Sequence, residues 1–177
     1  MKKELITHFT FLIAFFIFIS IFRGWFELSY LAFWVGGIIG TILPDIDHLI
    51  YVYFLRPQEA ISQKVVSLVS KRESLAGLAL LAETRSERKH FVFHTFHFNI
   101  IFLLLSYLVI SSSGSNLGRG IVLAFLLHLL IDQVVDFIET GDLTNWFRQA
   151  NIELSEEQKR YYLIGNTVVL LILGFLL

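Results

Sequence analysis

Long apolar runs separated by short polar stretches set the pattern of this chain. Residues 5–22, 27–43, 92–112, 118–138 and 161–177 are each predominantly apolar. Each is close to the roughly 20 residues that a helix needs to cross a bilayer core. The fourth run takes in polar residues near its end, and the fifth reaches the C-terminus. Between the second and third lies a longer segment, 50–91, containing "EAISQKVVSLVSKRESLAGLALLAE". Its helix-forming composition and mixed polarity predict one or two short helices lying on the membrane surface. The expected fold is therefore all-α. A single membrane domain over 1–177 would be a bundle of about five transmembrane helices with short cytoplasmic surface helices. Pro44 is expected to loosen or end the second span. With the chain extended beyond it, Asp45 and Asp47 would point the same way.

The N-terminus, "MKKELITHF", has the basic start of a signal peptide. However, the apolar run is long and no small-x-small cleavage site comes before "RGWFE", which predicts an uncleaved first span. Orientation follows from the basic residues. With the N-terminus inside, one side carries Lys2, Lys3, Arg56, Lys64, Lys71, Arg72, Arg85, Arg88, Lys89, Arg148, Lys159 and Arg160, and the other only Arg23 and Arg119. This asymmetry predicts a protein of the cell membrane with its N-terminus, the 50–91 segment and residues 139–160 in the cytoplasm.

Composition agrees with membrane insertion. Of 177 residues, 55% are hydrophobic and 16% charged, with a mean hydropathy of +0.68. The net charge is −1 and no basic patch suits nucleic acid. There is no cysteine, which excludes disulfides and thiolate metal sites. Any metal would be held by nitrogen and oxygen, so the six histidines matter.

Placed on this topology, the costly polar residues fall at one end. His8 lies one turn into the first span. Asp45, Asp47 and His48 close the second in "PDIDH". His90, His94 and His97 open the third, at spacings that give one helical face. His128, Asp132 and Asp136 recur every four residues in the fourth and form one stripe. A charged side chain near a span centre costs about 2.5–3.5 kcal/mol on insertion scales, less near the interface. Lys and Arg are absent from these stripes, so a divalent cation is the natural partner for the carboxylates, with neutral imidazole as co-ligand. The candidate ligands are His8, Asp45, Asp47, His48, His94, His128 and Asp132.

Blander readings stand beside these. "PDIDH" alone would be a helix-ending turn with solvated aspartates, and His128 with Asp132 alone an interhelical hydrogen-bonded pair. Asp136 suits a solvated or supporting role as well as ligation. His90, at the boundary, reads as solvated or supporting, and His97 as a core histidine or a ligand. Gly36-x-x-x-Gly40 permits close helix approach. Tyr51, Tyr53, Trp146, Tyr161 and Tyr162 read as interfacial aromatics. The "ERK" and "SEEQKR" runs read as solvated charge.

With these residues in view, the chain resembles the YdjM-like family of membrane-bound, predicted metal-dependent hydrolases. The resemblance lies in Thr7-His8, in a Gly-rich helix ending in Pro44-Asp45-x-Asp47-His48, and in His128-x-x-x-Asp132 followed by Gly141. The family pattern also has His-Arg-Gly-x-Thr-His-Ser at the start of the third span, where this chain has "KHFVFHTF". His94-Thr95 fits the last His-Ser. The Arg and Gly are missing, and His90 lies one place off the first histidine. The resemblance implies a metal-centred hydrolase facing the cytoplasm, with kinship to zinc-dependent phospholipase C-like enzymes and a phosphoester or lipid substrate.

The leading expectation is accordingly a metal-dependent hydrolase with one or two divalent ions, zinc first, with manganese or iron served by the same donors. A bound water would be deprotonated with a pKa falling toward about 7. An uncoordinated Asp47 or Asp136 would be the general base. A boundary site suits membrane lipids as partners and an amphipathic substrate, with 50–91 placed as a lid. The alternatives are a metal or proton transporter and a non-catalytic module clamped by a structural metal. A transporter needs polar groups on both sides, and only Asn99 and Ser106 step outward in the third span.

Overall fold

The apolar runs become helices, and glycines decide how those helices meet. The structure is a computed structural model describing residues 2–84, 88 and 90–177. Arg85 and Lys89, which contribute to the charge asymmetry, lie outside the described residues, as do Met1, Ser86 and Glu87.

Helix α1 spans Lys2–Arg23 and ends at Gly24, whose φ of +67° glycine adopts readily. Helix α2 spans Leu31–Ile42. It runs on through a 3-10 turn Leu43–Asp45, helix α3 Ile46–Ile50 and a π-helical turn Tyr51–Leu55. Two short helices follow, α4 Ala60–Ser70 and α5 Ser74–Glu83, packed on each other through Val65 and Gly77. Helix α6 is Phe96–Ser112, α7 is Asn116–Thr140, α8 is Thr144–Phe147 and α9 is Glu156–Leu176. The described residues are all-helical, with no strand among them.

Helix starts and stops follow capping chemistry. The Ser115 hydroxyl accepts the Gly118 N–H at the start of α7, and Gly141, at φ +70°, closes it. Ser155 and Gln158 form a capping box at the start of α9. Thr95 caps α6 by accepting the Phe98 N–H.

Among the described residues, four helical runs are long and apolar enough to cross a membrane: Glu4–Arg23, Leu28–Leu55, Asn116–Thr140 and Glu156–Leu176. About five spans are expected from the sequence, and α6 is the longest of the remaining apolar helices. Helix α6 has 17 residues, about 25 Å at 1.5 Å per residue, short of a hydrocarbon core of roughly 30 Å. Its first turn is given up because residues 91–95 are irregular. His90, His94 and His97 therefore do not share a helical face: His90 and His97 are exposed and His94 is buried. Pro44 does not end the second span. It sits in the first turn of a 3-10 segment, where its missing N–H costs no helical bond, and the chain stays helical beyond it. Asp45 and Asp47 consequently point to different neighbours. Tyr51 and Trp146, expected at an interface, are each 2% exposed.

Helix α7 is the axis of the bundle, with every residue from Val122 to Gln133 buried. Against it lies α2, at backbone contact. A Cβ on Gly120 would fall 2.1 Å from the Phe33 carbonyl oxygen, one on Gly40 2.3 Å from that of Ile121, and one on Gly36 2.2 Å from that of Leu117. Gly37 receives the ring of Phe16 from α1, which stacks on Phe33. Leu12, Phe16, Phe33, Leu123, Ala124 and Leu127 form the apolar core beneath these contacts.

Gly120→Val should therefore fail to reach native packing or lose at least about 1–3 kcal/mol, the usual cost of overpacking, because backbone and not a flexible side chain stands in the way. Gly114→Ala, with nothing within 4 Å of the added carbon, should leave the thermal midpoint in detergent unchanged by circular dichroism.

Candidate metal centre

The α2–α7 contact brings the end of α2 to the middle of α7, and the site grows from there. The Thr41 carbonyl oxygen lies 2.7 Å from His128 Nδ1. A carbonyl only accepts, so Nδ1 carries a proton, and in the neutral ring Nε2 keeps its lone pair. In α1 the Glu4 carbonyl does the same to His8, at 2.8 Å from Nδ1. The two rings stack with centroids 4.0 Å apart.

Both lone pairs face Asp132, one helical turn beyond His128. His8 Nε2 is 3.1 Å from Asp132 Oδ1, and His128 Nε2 is 3.3 Å from Oδ2. Neither nitrogen makes a hydrogen bond of acceptable angle, and both are buried from solvent. Two buried acceptor nitrogens beside a buried carboxylate suit a cation between them. One ligand atom each from His8, His128 and Asp132 lies within 4.8 Å of the others. This group can hold a metal ion, with second-partner carbonyls orienting both imidazoles as metal-site histidines require.

His94 completes the arrangement from the irregular segment. Its Nε2 is 3.0 Å from Asp132 Oδ2, and its Nδ1 is 3.0 Å from Asp47 Oδ2. Asp47 is fully buried. Its carboxylate accepts the backbone N–H groups of Val92 (2.9 Å), Phe93 (2.7 Å) and His94 (3.2 Å). The 92–94 turn is wound around this one side chain, and the histidine it presents is held by the same carboxylate.

The other candidate residues lie around the group. Asp45 is at the rim, its side chain 51% exposed and its Oδ1 3.7 Å from His128 Nε2. His48 Nδ1 is 3.2 Å from an Arg88 guanidinium nitrogen. Because guanidinium only donates, His48 Nδ1 accepts and Nε2 carries the proton, 4.0 Å from Asp45 Oδ1. Asp136 accepts the Trp146 indole N–H at 2.8 Å, and Trp146 packs on the His94 ring. His90 and His97 are exposed and lie outside the cluster.

Sequence reasoning passed over Arg88, assigned to a solvated "ERK" run. Arg88 is in fact 1% exposed and also donates to the Leu81 carbonyl and the Thr84 hydroxyl. Glu87 and Lys89 of that run lie outside the described residues. Glu4 was also missed, although its backbone orients His8. The i, i+4 spacing of Glu4 and His8 was the one available signal.

Three cavities open beside the cluster. One of about 210 Å³ reaches His94, Arg88, Asp136 and Trp146. A second of about 210 Å³ reaches His8 and Asp132 past Glu4 and Thr7. A third, a groove of about 370 Å³, reaches His8, Asp45 and His48. In the opposite direction along α1 and α7 the packing is apolar, through Leu12, Phe16, Leu123 and Leu127. Asn99 turns sideways to Tyr162 at 2.8 Å, within a network that includes Gln133 and Asn166.

Residues 142–147 buttress the Trp146 side. Asp142 accepts the Thr144 hydroxyl, the Lys159 ammonium at 2.9 Å and the Leu143 N–H at 2.7 Å. The Thr144 hydroxyl first, with Lys159 and the Leu143 N–H, holds the Asp142 carboxyl down to about 2.

No protein-family model matches this chain, nor does any curated protein or solved structure.

Asp47→Ala should unfold the 92–94 turn and free His94, since each orphaned buried donor costs about 1–3 kcal/mol. Loss of amide protection at Val92, Phe93 and His94 by hydrogen exchange checks it. Asp142 has a folded-state pKa below its unfolded value, so its contribution is complete above about 4 and fades as pH falls toward about 2. Protection of the Leu143 and Thr144 amides should follow that titration and lose it in Asp142→Asn.

Proposed function

We propose that this chain is a membrane-embedded, metal-dependent hydrolase whose site faces the cytoplasm and cleaves a phosphoester. The observation that carries it is the pair of buried, tautomer-fixed Nε2 atoms of His8 and His128 turned on Asp132 without hydrogen-bond geometry. His8, His94, His128 and Asp132 form a mixed nitrogen and oxygen set that suits zinc, with manganese or iron as further candidates. The family resemblance through Thr7-His8, "PDIDH" and His128-x-x-x-Asp132 supports the same reading, and so does the concentration of Lys and Arg on one side.

A divalent ion bound there supplies Lewis-acid charge that makes a water nucleophilic near neutral pH. The protein residues do the rest. Asp47 holds His94 in place. Asp45, exposed at the rim, takes the proton as the water oxygen bonds to phosphorus. It returns that proton to the ester oxygen as the phosphorus–oxygen bond breaks. His48 Nε2–H, with Arg88 behind it, donates to the phosphoryl oxygens as charge builds on them.

The apolar packing at Leu12, Phe16, Leu123 and Leu127 argues against a path for ions through the bundle. The cavities reaching His8, His94 and Asp132 argue against a closed structural clamp, which would keep solvent from its metal.

Elemental mass spectrometry of the detergent-purified full chain tests the reading. The wild type should carry at least about one equivalent of a transition metal. Asp132→Asn and His128→Ala should lower metal affinity by more than the about 10–100-fold typical of losing an outer partner. A wild type that stays metal-free after reconstitution with Zn²⁺ and Mn²⁺ would overturn it.

A further inference from the structure

The groove beside the cluster has two unlike ends. Its walls are aliphatic: Leu5 from α1, Ile42 and Ile46 from the second helical run, and Leu78 from α5. All four are exposed, at 39% to 51%. Its inner end is polar and is made by Glu4, His8, Thr41, Asp45 and His48. Two of its three sides are helical runs long and apolar enough to cross a membrane. Aliphatic side chains in that position are covered by hydrocarbon, while the polar end is shared with the candidate metal centre.

One kind of molecule satisfies both ends. We propose that the groove takes one acyl chain of a membrane phospholipid, so that the head-group phosphoester lies at the His8 and His48 end, beside the candidate metal centre. This inference rests on the hydrolase reading and names its substrate class. The volume of about 370 Å³ falls within the range of about 300–1,000 Å³ for ligand sites. The chemistry of the polar end agrees. His48 presents Nε2–H, set by the Arg88 guanidinium behind it, and donors of this kind match an anionic phosphodiester. A soluble phosphoester would leave the aliphatic walls uncovered. An apolar molecule without a head group would leave the polar end unmatched. Helix α5 carries Leu78 and Leu81 over the groove, and it places the chain between itself and the two long helices.

The test uses the full chain in vesicles of phosphatidylethanolamine and phosphatidylglycerol. A trace of phosphatidylglycerol carries a diazirine on one acyl chain. After irradiation, label is mapped by peptide mass spectrometry. Label should concentrate on Leu5, Ile46 and Leu78 several-fold over Ile101 and Leu104, which are at least as exposed on α6. Leu78→Trp and, separately, Ile46→Phe should fill the groove and remove that excess while leaving metal content unchanged. Metal content also reports that each variant has folded. Even labelling over all exposed apolar positions would overturn the inference. So would an excess that survives both variants, or cross-links from these positions to a second copy of the chain. The two readings fail separately. A metal-loaded protein with even labelling removes the lipid groove and leaves the hydrolase. A metal-free protein with concentrated labelling removes the hydrolase and leaves a lipid site.

Discussion

Everything at the candidate centre depends on the backbone contact between α2 and α7. Gly36, Gly40 and Gly120 let carbonyl oxygens of one helix stand where a Cβ of the other would be. In a bilayer, where lipid tails are as apolar as Leu, helices associate through such close packing and through buried hydrogen bonds rather than through hydrophobic burial. The same proximity lets Thr41, one residue past Gly40, reach the His128 ring with its carbonyl. Wider spacing would leave the His128 tautomer unset, and with it the direction of its lone pair.

The polar residues then divide into those that face the centre and those that hold them there. His8 and His128 are each locked by a backbone carbonyl, so no further charge has to be buried to orient them. His94 is locked by a carboxylate that also organises a turn of irregular chain. Helix α6 is shortened as a result, since residues wrapped around Asp47 cannot also form its first turn. Irregular backbone near a membrane is tolerated where protein satisfies its N–H groups, and Asp47 does so here. Arg88 plays a matching part on the other side, where its buried guanidinium is met by His48, a backbone carbonyl and a hydroxyl.

The bundle is asymmetric along its length. One end gathers imidazoles, carboxylates and the cavities that reach them. The rest of α1 and α7 is packed with Phe and Leu. The amide and phenol network of Asn99, Gln133, Tyr162 and Asn166 ties α6, α7 and α9 together without adding charge. Such an arrangement concentrates the polar groups and the cavities that reach them at one end of the bundle.

The sequence by itself determined the helical character, the positions of the long apolar runs and the gathering of polar residues at one end. These depend on local composition and on a period of 3.6, which a single chain displays directly. The His128-x-x-x-Asp132 stripe and the Gly36–Gly40 pair were legible for the same reason. What only the tertiary structure decided is how residues far apart divide their tasks. Asp45 and Asp47 are two places apart, yet one sits at the rim and the other holds the 92–94 turn, because the chain remains helical past Pro44 and turns them to different neighbours. Arg88 looks like a solvated charge in "ERK" until α5 and His48 close around it. Which nitrogen of His8, His48, His94 and His128 carries a proton was set by carbonyls, a carboxylate and a guanidinium, several of them dozens of residues away. Hydrogen-bond direction depends on three-dimensional proximity, which no local pattern encodes.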